Sequence, residues 1–187
     1  MTDSDKFGRI KPENTALLVI DVQEKFVPHI NEIESVIANC VRMAKGCREL
    51  GVPVIVTEQY PEGLGRTVEP LKEALGGIVP YEKVHFSLFE DEKIAAAIKE
   101  LVRPNLLVTG IEAHVCLIKT ALDGLAAGYS IHWIADAISS RTKQNAKAAA
   151  KRALQCGAFM SSTEMALFMM MDSSKDAPFR TISKIVK

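Results

Sequence analysis

Short apolar runs rich in β-branched residues, separated by stretches of helical periodicity, constrain this chain more than any other feature. "TALLVIDVQ" (15–23) is almost continuously apolar, the pattern of a strand buried on both faces. "VPVIVTEQ" (52–59), "NLLVTG" (105–110) and "YSIHWIADAI" (129–138) repeat it. Between the first two lies "NEIESVIANCVRMAKGCRELG" (31–51). There Ile33, Val36, Ile37, Cys40, Val41, Ala44 and Cys47 recur at spacings of three and four, and Gly51 ends the helix. Further helices are expected within 67–75, 89–103, 115–128, 143–157 and 162–170. "GGIVPYEKVHFS" (76–87) supplies a third strand with its exit loop, and a short sixth element falls near Ala158 and Phe159.

Strands alternating with helices imply right-handed crossovers and a parallel sheet covered on both faces. The expectation is therefore a doubly wound α/β fold: a mostly parallel six-stranded sheet in a Rossmann-like three-layer sandwich. With 187 residues and neither linker nor internal repeat, the whole chain (1–187) reads as one domain. Such sheets bind ligands beyond the carboxyl ends of their strands. That rule selects Asp21, Glu58 and Gln59, Lys83, the segment from Gly110 to Cys116, and Asp136.

Charge narrows the partners. Lys plus Arg and Asp plus Glu each number 23, so no global field draws the chain toward nucleic acid or acidic lipid. "SSRTKQNAKAAAKRALQ" (139–155) is locally basic, but a helix with Lys and Arg on its solvent face explains it, and no aromatic residues are interleaved for base stacking. Nucleic acid is therefore not expected as a partner. No apolar stretch has the length to span a bilayer, so membrane insertion is not expected either. "MTDSDKFGRIKPEN" makes a poor signal or transit peptide. Cys40, Cys47, Cys116 and Cys156 form no C-x-x-C pair, and the first two stand two helical turns apart, beyond disulfide reach in a straight helix. Free thiols in a reducing compartment follow; the cytoplasm is expected, with mitochondrial association left open. The apolar residues of "MALFMMMDSS" (165–174) exceed one helix face, so part of it is expected to meet another subunit.

Cys116 stands where the fourth strand's loop becomes a helix. Unpaired backbone N–H groups and the dipole there would lower the thiol pKa below about 8.5. Lys83, from a neighbouring strand end, would lower it further, and Asp21 could take the thiol proton and return it to a leaving group. Each residue also has a structural reading: a small buried hydrophobe, a surface lysine, a strand-end cap. Cys40, Cys47 and Cys156 read as packing residues on helical stripes.

"LLVIDVQEKF", "YEKVHFS" and "VTGIEAHVCLIKTALDGLAAGY", in this order and spacing, resemble the isochorismatase-like, or cysteine hydrolase, superfamily. The resemblance runs from about residue 15 to 170. "VTEQYPEGLG" and "GIEAHVC" look more like the small isochorismatase-domain-containing hydrolases than the nicotinamidases. It implies an Asp21–Lys83–Cys116 triad, a cis peptide between Ile111 and Glu112, and an oxyanion hole built from the Glu112 and Cys116 amides. The reaction implied is cleavage of a small amide or related acyl compound through a thioester, in a dimer or larger homo-oligomer.

Departures from the family pattern narrow this. Nicotinamidases carry a metal-binding Asp-x-His after the second strand, where this chain has "EQYPEG". Histidines stand at 29, 85, 114 and 132 with no ligand spacing, His132 reading as a strand residue facing core or helix, so neither a metal nor another cofactor is expected. Isochorismate cleavage needs no thiol, so the retained cysteine weighs against that reaction. Gln23, Phe26, Tyr60 and His114 are the pocket candidates, with Phe26 and Tyr60 sandwiching a small planar or acyl group. Two alternatives stand beside this reading: a scaffold protein with little turnover, and an RNA-associated protein or nuclease.

Overall fold

The apolar runs form the strands of a sheet that is parallel between all neighbours, in the order β3-β2-β1-β4-β5-β6. The computed structural model describes residues 7–187; residues 1–6, and with them the start of the segment weighed as a leader, lie outside the described residues. The strands are β1 (Thr15–Ile20), β2 (Val54–Gln59), β3 (Tyr81–Lys83), β4 (Asn105–Gly110), β5 (Ser130–Ile138) and β6 (Phe159–Ser161). The helices are α1 (Ile33–Glu49), α2 (Pro61–Leu64), α3 (Glu69–Leu75), α4 (Glu92–Glu100), α5 (Ile118–Ala126), α6 (Lys143–Gln155), α7 (Thr163–Met169) and α8 (Phe179–Ile185).

Every residue of β1 is buried, because its side chains alternate between two apolar layers. Leu17 and Val19 pack against α1, α3, α7 and α8, while Ala16, Leu18 and Ile20 pack against α4, α5 and α6. Trp133 anchors the second layer at 1% exposure. Burying each Leu fully is worth about 1.5–3 kcal/mol, which is why an unbroken apolar run, rather than an alternating one, fits this position.

Two elements differ from the sequence reading. The single turn α2 carries Pro61 and Gly63 and is too short to leave a helical periodicity. At the C-terminus, Ala166, Leu167 and Met170 enter the core beneath α1, and α8 folds back to add Ile182 to that layer. The Phe168 and Phe179 rings meet edge to face. Part of the apolar excess is thus buried within the chain, against α1 and α8, leaving Met165 and Met169 exposed.

The strand order reverses direction between β1 and β4, so the crevice lies at their carboxyl ends. Gly110 makes that junction close. Its φ is +114°, and a Cβ there would collide with the Ile20 carbonyl, which instead accepts the Ile111 N–H at 2.9 Å. The end of β1 and the turn carrying Cys116 are thereby held together.

Candidate active site

Asp21 follows β1 directly, at a φ of +55° that aspartate tolerates better than most residues. Its N–H donates to the Thr57 carbonyl at 3.1 Å, and its Oδ1 accepts the Thr57 hydroxyl at 2.7 Å. Its Oδ2 accepts Lys83 Nζ at 2.7 Å, with both side chains essentially inaccessible. Lys83 sits at the end of β3, whose register beside β2 places it opposite Gln59. Its ammonium donates also to Gln59 Oε1 (2.6 Å) and the His85 carbonyl (3.2 Å), and lies 3.8 Å from Cys116 Sγ. A buried ammonium is costly unless neutralised and hydrogen-bonded, and these partners do both.

Cys116 lies inside a π-helical turn, Ala113–Leu117, that leads into α5. The residue is 6% exposed, and its thiol pKa is pushed up to about 12. Burial is the main cause and the Asp21 charge adds to it; Lys83 pulls the other way without prevailing. The sequence reading had the opposite direction. It set the thiol at the open start of a helix, whereas the sulfur is enclosed and the Lys83 charge is already committed to Asp21. Cys40 and Cys47 are also pushed up to about 12, by burial first, in the layer under α1.

The Ile111–Glu112 peptide is cis. Within the turn, the N–H groups of Ala113 and His114 go to Ser139 O (2.9 Å) and Ser140 Oγ (3.4 Å), and those of Val115 and Leu117 to Glu112 O. The Glu112 carboxylate is clasped by Arg141, through its backbone N–H (3.0 Å), Nε (3.0 Å) and Nη2 (2.7 Å). Burial alone would raise this carboxyl, but the hydrogen bonds and charge of Arg141 outweigh it and hold it below the usual range. Arg141 carries no signal in the sequence, because its partner lies 29 residues away.

The pocket candidates separate. The Gln23 amide is fully used on backbone, donating to Gln59 O (3.0 Å) and Gly65 O (2.8 Å) and accepting Gln59 N–H (2.8 Å). It pins the segment after β2 instead of facing a ligand. Phe26 lines a cavity of about 540 Å³ together with Lys25, His29, Glu112 and Arg141. Tyr60 lines a different one, of about 210 Å³, with Glu62, Glu82, Lys83 and Asp91. The two rings therefore do not sandwich one group: the segment from Tyr60 to Leu64 runs between the cavities, with Gly63 beneath the Tyr60 ring. His114 Nδ1 is 3.0 Å from Ser140 Oγ. A third cavity, about 570 Å³ between α3 and residues 76–80, is lined by none of Asp21, Lys83 and Cys116.

Other strand-end residues serve the frame. Glu58 Oε1 accepts both the N–H and the hydroxyl of Thr67 at 2.7 Å, and Arg66 bridges Glu58 to Glu82. Asp136 Oδ1 accepts the N–H (2.8 Å) and hydroxyl (3.0 Å) of Thr163 at the start of α7. Thr57 was overlooked because one hydroxyl in a β-branched run reads as strand propensity.

The isochorismatase domain profile matches residues 15–165. The chain belongs to the isochorismatase-like hydrolase superfamily. Isochorismatase domain-containing protein 2 of Danio rerio is 37% identical over 180 residues, covering 96% of this chain and 90% of the relative. Isochorismatase domain-containing protein 2A of Mus musculus is 39% identical over 184 residues, covering 96% and 86%. A solved structure described as MAR1 ribonuclease from Caenorhabditis elegans superposes with a TM-score of 0.90 at 37% identity, covering 96% of this chain and 92% of that one.

The last relative overturns one expectation. Nucleic acid was set aside as a partner on the even charge balance, yet an isochorismatase-like protein this similar is described as a ribonuclease. Composition averages charge over the whole surface and carries no information on a local site. Among the alternatives, the RNA-associated protein or nuclease gains more from these relatives than amide cleavage does.

Proposed function

We propose that this isochorismatase-like protein is a cysteine hydrolase that cleaves a small amide or related acyl compound through a thioester on Cys116. The observation that carries the reading is one buried ammonium, Lys83 Nζ, 2.7 Å from Asp21 and 3.8 Å from the Cys116 sulfur. Because the thiol pKa is pushed up to about 12, the resting nucleophile is the neutral thiol, and its proton must leave as sulfur attacks. Asp21 takes that proton while the S–C bond forms. The Glu112 and Cys116 amides hold the carbonyl oxygen as it becomes an oxyanion. Asp21 then protonates the leaving nitrogen, the C–N bond breaks, and the thioester remains. Water loses a proton to Asp21 and attacks; the C–S bond breaks, and sulfur recovers the proton. Lys83 keeps Asp21 oriented and offsets the negative charge as it passes from the carboxylate to sulfur and the substrate oxygen.

A second reading, action on RNA, is favoured by the ribonuclease description of the 37% identical Caenorhabditis elegans relative. One experiment separates the two. Purified protein and a Cys116→Ala variant are offered a panel of small amides and a single-stranded RNA in parallel. The hydrolase reading expects amide turnover that falls at least about a thousandfold in the variant. RNA cleavage with no amide turnover would replace it with the second reading.

A further inference from the structure

The cavities on either side of the Tyr60–Leu64 segment carry opposite charge. On the Tyr60 side stand Glu62, Asp91 and Glu82, the last paired with Arg66, and the one lysine lining the cavity, Lys83, is already matched by Asp21. On the Phe26 side, Lys25, His29 and Arg141 stand against one carboxylate, Glu112, which Arg141 satisfies through both of its oxygens. Lys25 is exposed, and no carboxylate among the described residues lies within ion-pair distance of it. Phe26, Ile30 and Leu64 give this cavity an apolar floor. Glu112, directly after the cis bond and four residues before Cys116, also lines it, whereas Asp21, Lys83 and Cys116 do not.

We propose that this cavity is an anion subsite, which seats a substrate with an apolar body and an anionic group. The apolar body rests on Phe26 and Leu64, and the anionic group is held by Lys25 and His29. Desolvated apolar contact would supply affinity, and the charge would supply selection between otherwise similar compounds. The Tyr60-side cavity, walled by carboxylates, repels the same ligand, so the charge difference also fixes its orientation. The inference rests on the hydrolase reading only in placing the reacting carbonyl beside Glu112; the anion subsite itself does not depend on turnover. A carboxylate on a small molecule and a phosphate of RNA share the required chemistry.

The test uses benzoate and benzyl alcohol, matched in size and differing in charge, with binding read by calorimetry on the full-length protein. Benzoate is expected to bind about tenfold more tightly, the preference to shrink with salt, and Lys25→Glu to abolish it. Lys25 is exposed and pairs with nothing among the described residues, so this variant should fold normally, and circular dichroism checks that it does. Equal affinity for the two probes, or a preference that survives Lys25→Glu, would overturn the proposal. A short oligouridylate that competes with benzoate identifies phosphate as the anion; failure to compete assigns the site to a small carboxylate. Acylation of Cys116 by 4-nitrophenyl benzoate, run alongside, tests the nucleophile separately. Charge-selective binding to a protein whose Cys116 is never acylated keeps the subsite and removes the hydrolase reading.

Discussion

At the scale of single residues, the Cys116 thiol is governed first by burial and then by two neighbours of opposite charge. Asp21 raises its pKa and Lys83 lowers it, on top of a burial that raises it further. The signs give a prediction. Alkylation of Cys116 followed against pH should show an apparent pKa well above the roughly 8.5 of an ordinary thiol. Asp21→Asn should lower it, since Lys83 then acts unopposed, and Lys83→Met should raise it. A value near or below 8.5 in the parent would contradict this account of the site. Thr57 contributes through Asp21 alone. Thr57→Val removes a 2.7 Å hydrogen bond to a buried carboxylate and should cost about 1.5–3 kcal/mol in urea unfolding.

At the scale of elements, the site depends on the β1–β4 junction and the Glu112 clasp. Gly110→Ala puts a methyl group against the Ile20 carbonyl at a φ that alanine avoids, and should cost about 3 kcal/mol or more. Denaturant unfolding measures that, and turnover should fall with it. Arg141→Gln leaves Glu112 buried without its cation. Because the guanidinium is 60% exposed, solvent screening limits the loss to about 1–2 kcal/mol. The Glu112 carboxyl is held below its usual value, so the clasp stabilises above the unfolded pKa of about 4.3 and its contribution is lost as pH falls through the folded value. Parent and variant stabilities should therefore converge in acid.

These elements also show what the sequence could and could not reveal. The strands were legible because burial on both faces demands an unbroken apolar run, as in "ALLVI". Asp21, Lys83 and Cys116 could be named because strand ends in such a sheet converge. Arg141 with Glu112, and Gln23 with Gly65, were not legible, since their partners lie 29 and 42 residues away and depend on loop paths. The direction of the Cys116 shift was misread for a related reason: local position suggests a helix start, and only packing reveals enclosure.

At the scale of the whole molecule, two apolar layers clamp the sheet, and truncating Leu18 to Ala should cost about 2–5 kcal/mol in unfolding free energy. Among the described residues, buried polar atoms without partners occur at Arg103 Nε and on the His132 ring. His132 is fully buried on β5, both ring nitrogens lack hydrogen bonds, and the ring stacks on Phe159 at 5.2 Å. Burial pushes its pKa down to about 4. The unfolded chain takes up a proton near pH 6.5 that the folded protein refuses until about pH 4, so stability is lost as pH falls across that interval. His132→Phe should flatten this part of the stability profile, gaining up to ~3 kcal/mol at pH 4 relative to pH 7. An unchanged profile would place the acid sensitivity elsewhere.

The central claim is that Cys116 takes the acyl group while Asp21 moves the proton. Rapid-quench peptide mapping after mixing with 4-nitrophenyl benzoate tests it most directly. The account predicts benzoylation of the Cys116 peptide, slowed about a hundredfold or more by Asp21→Asn even though that substitution lowers the thiol pKa. Benzoyl groups on Cys156 or surface lysines but not on Cys116, or acylation of Cys116 at an unchanged rate in Asp21→Asn, would contradict it.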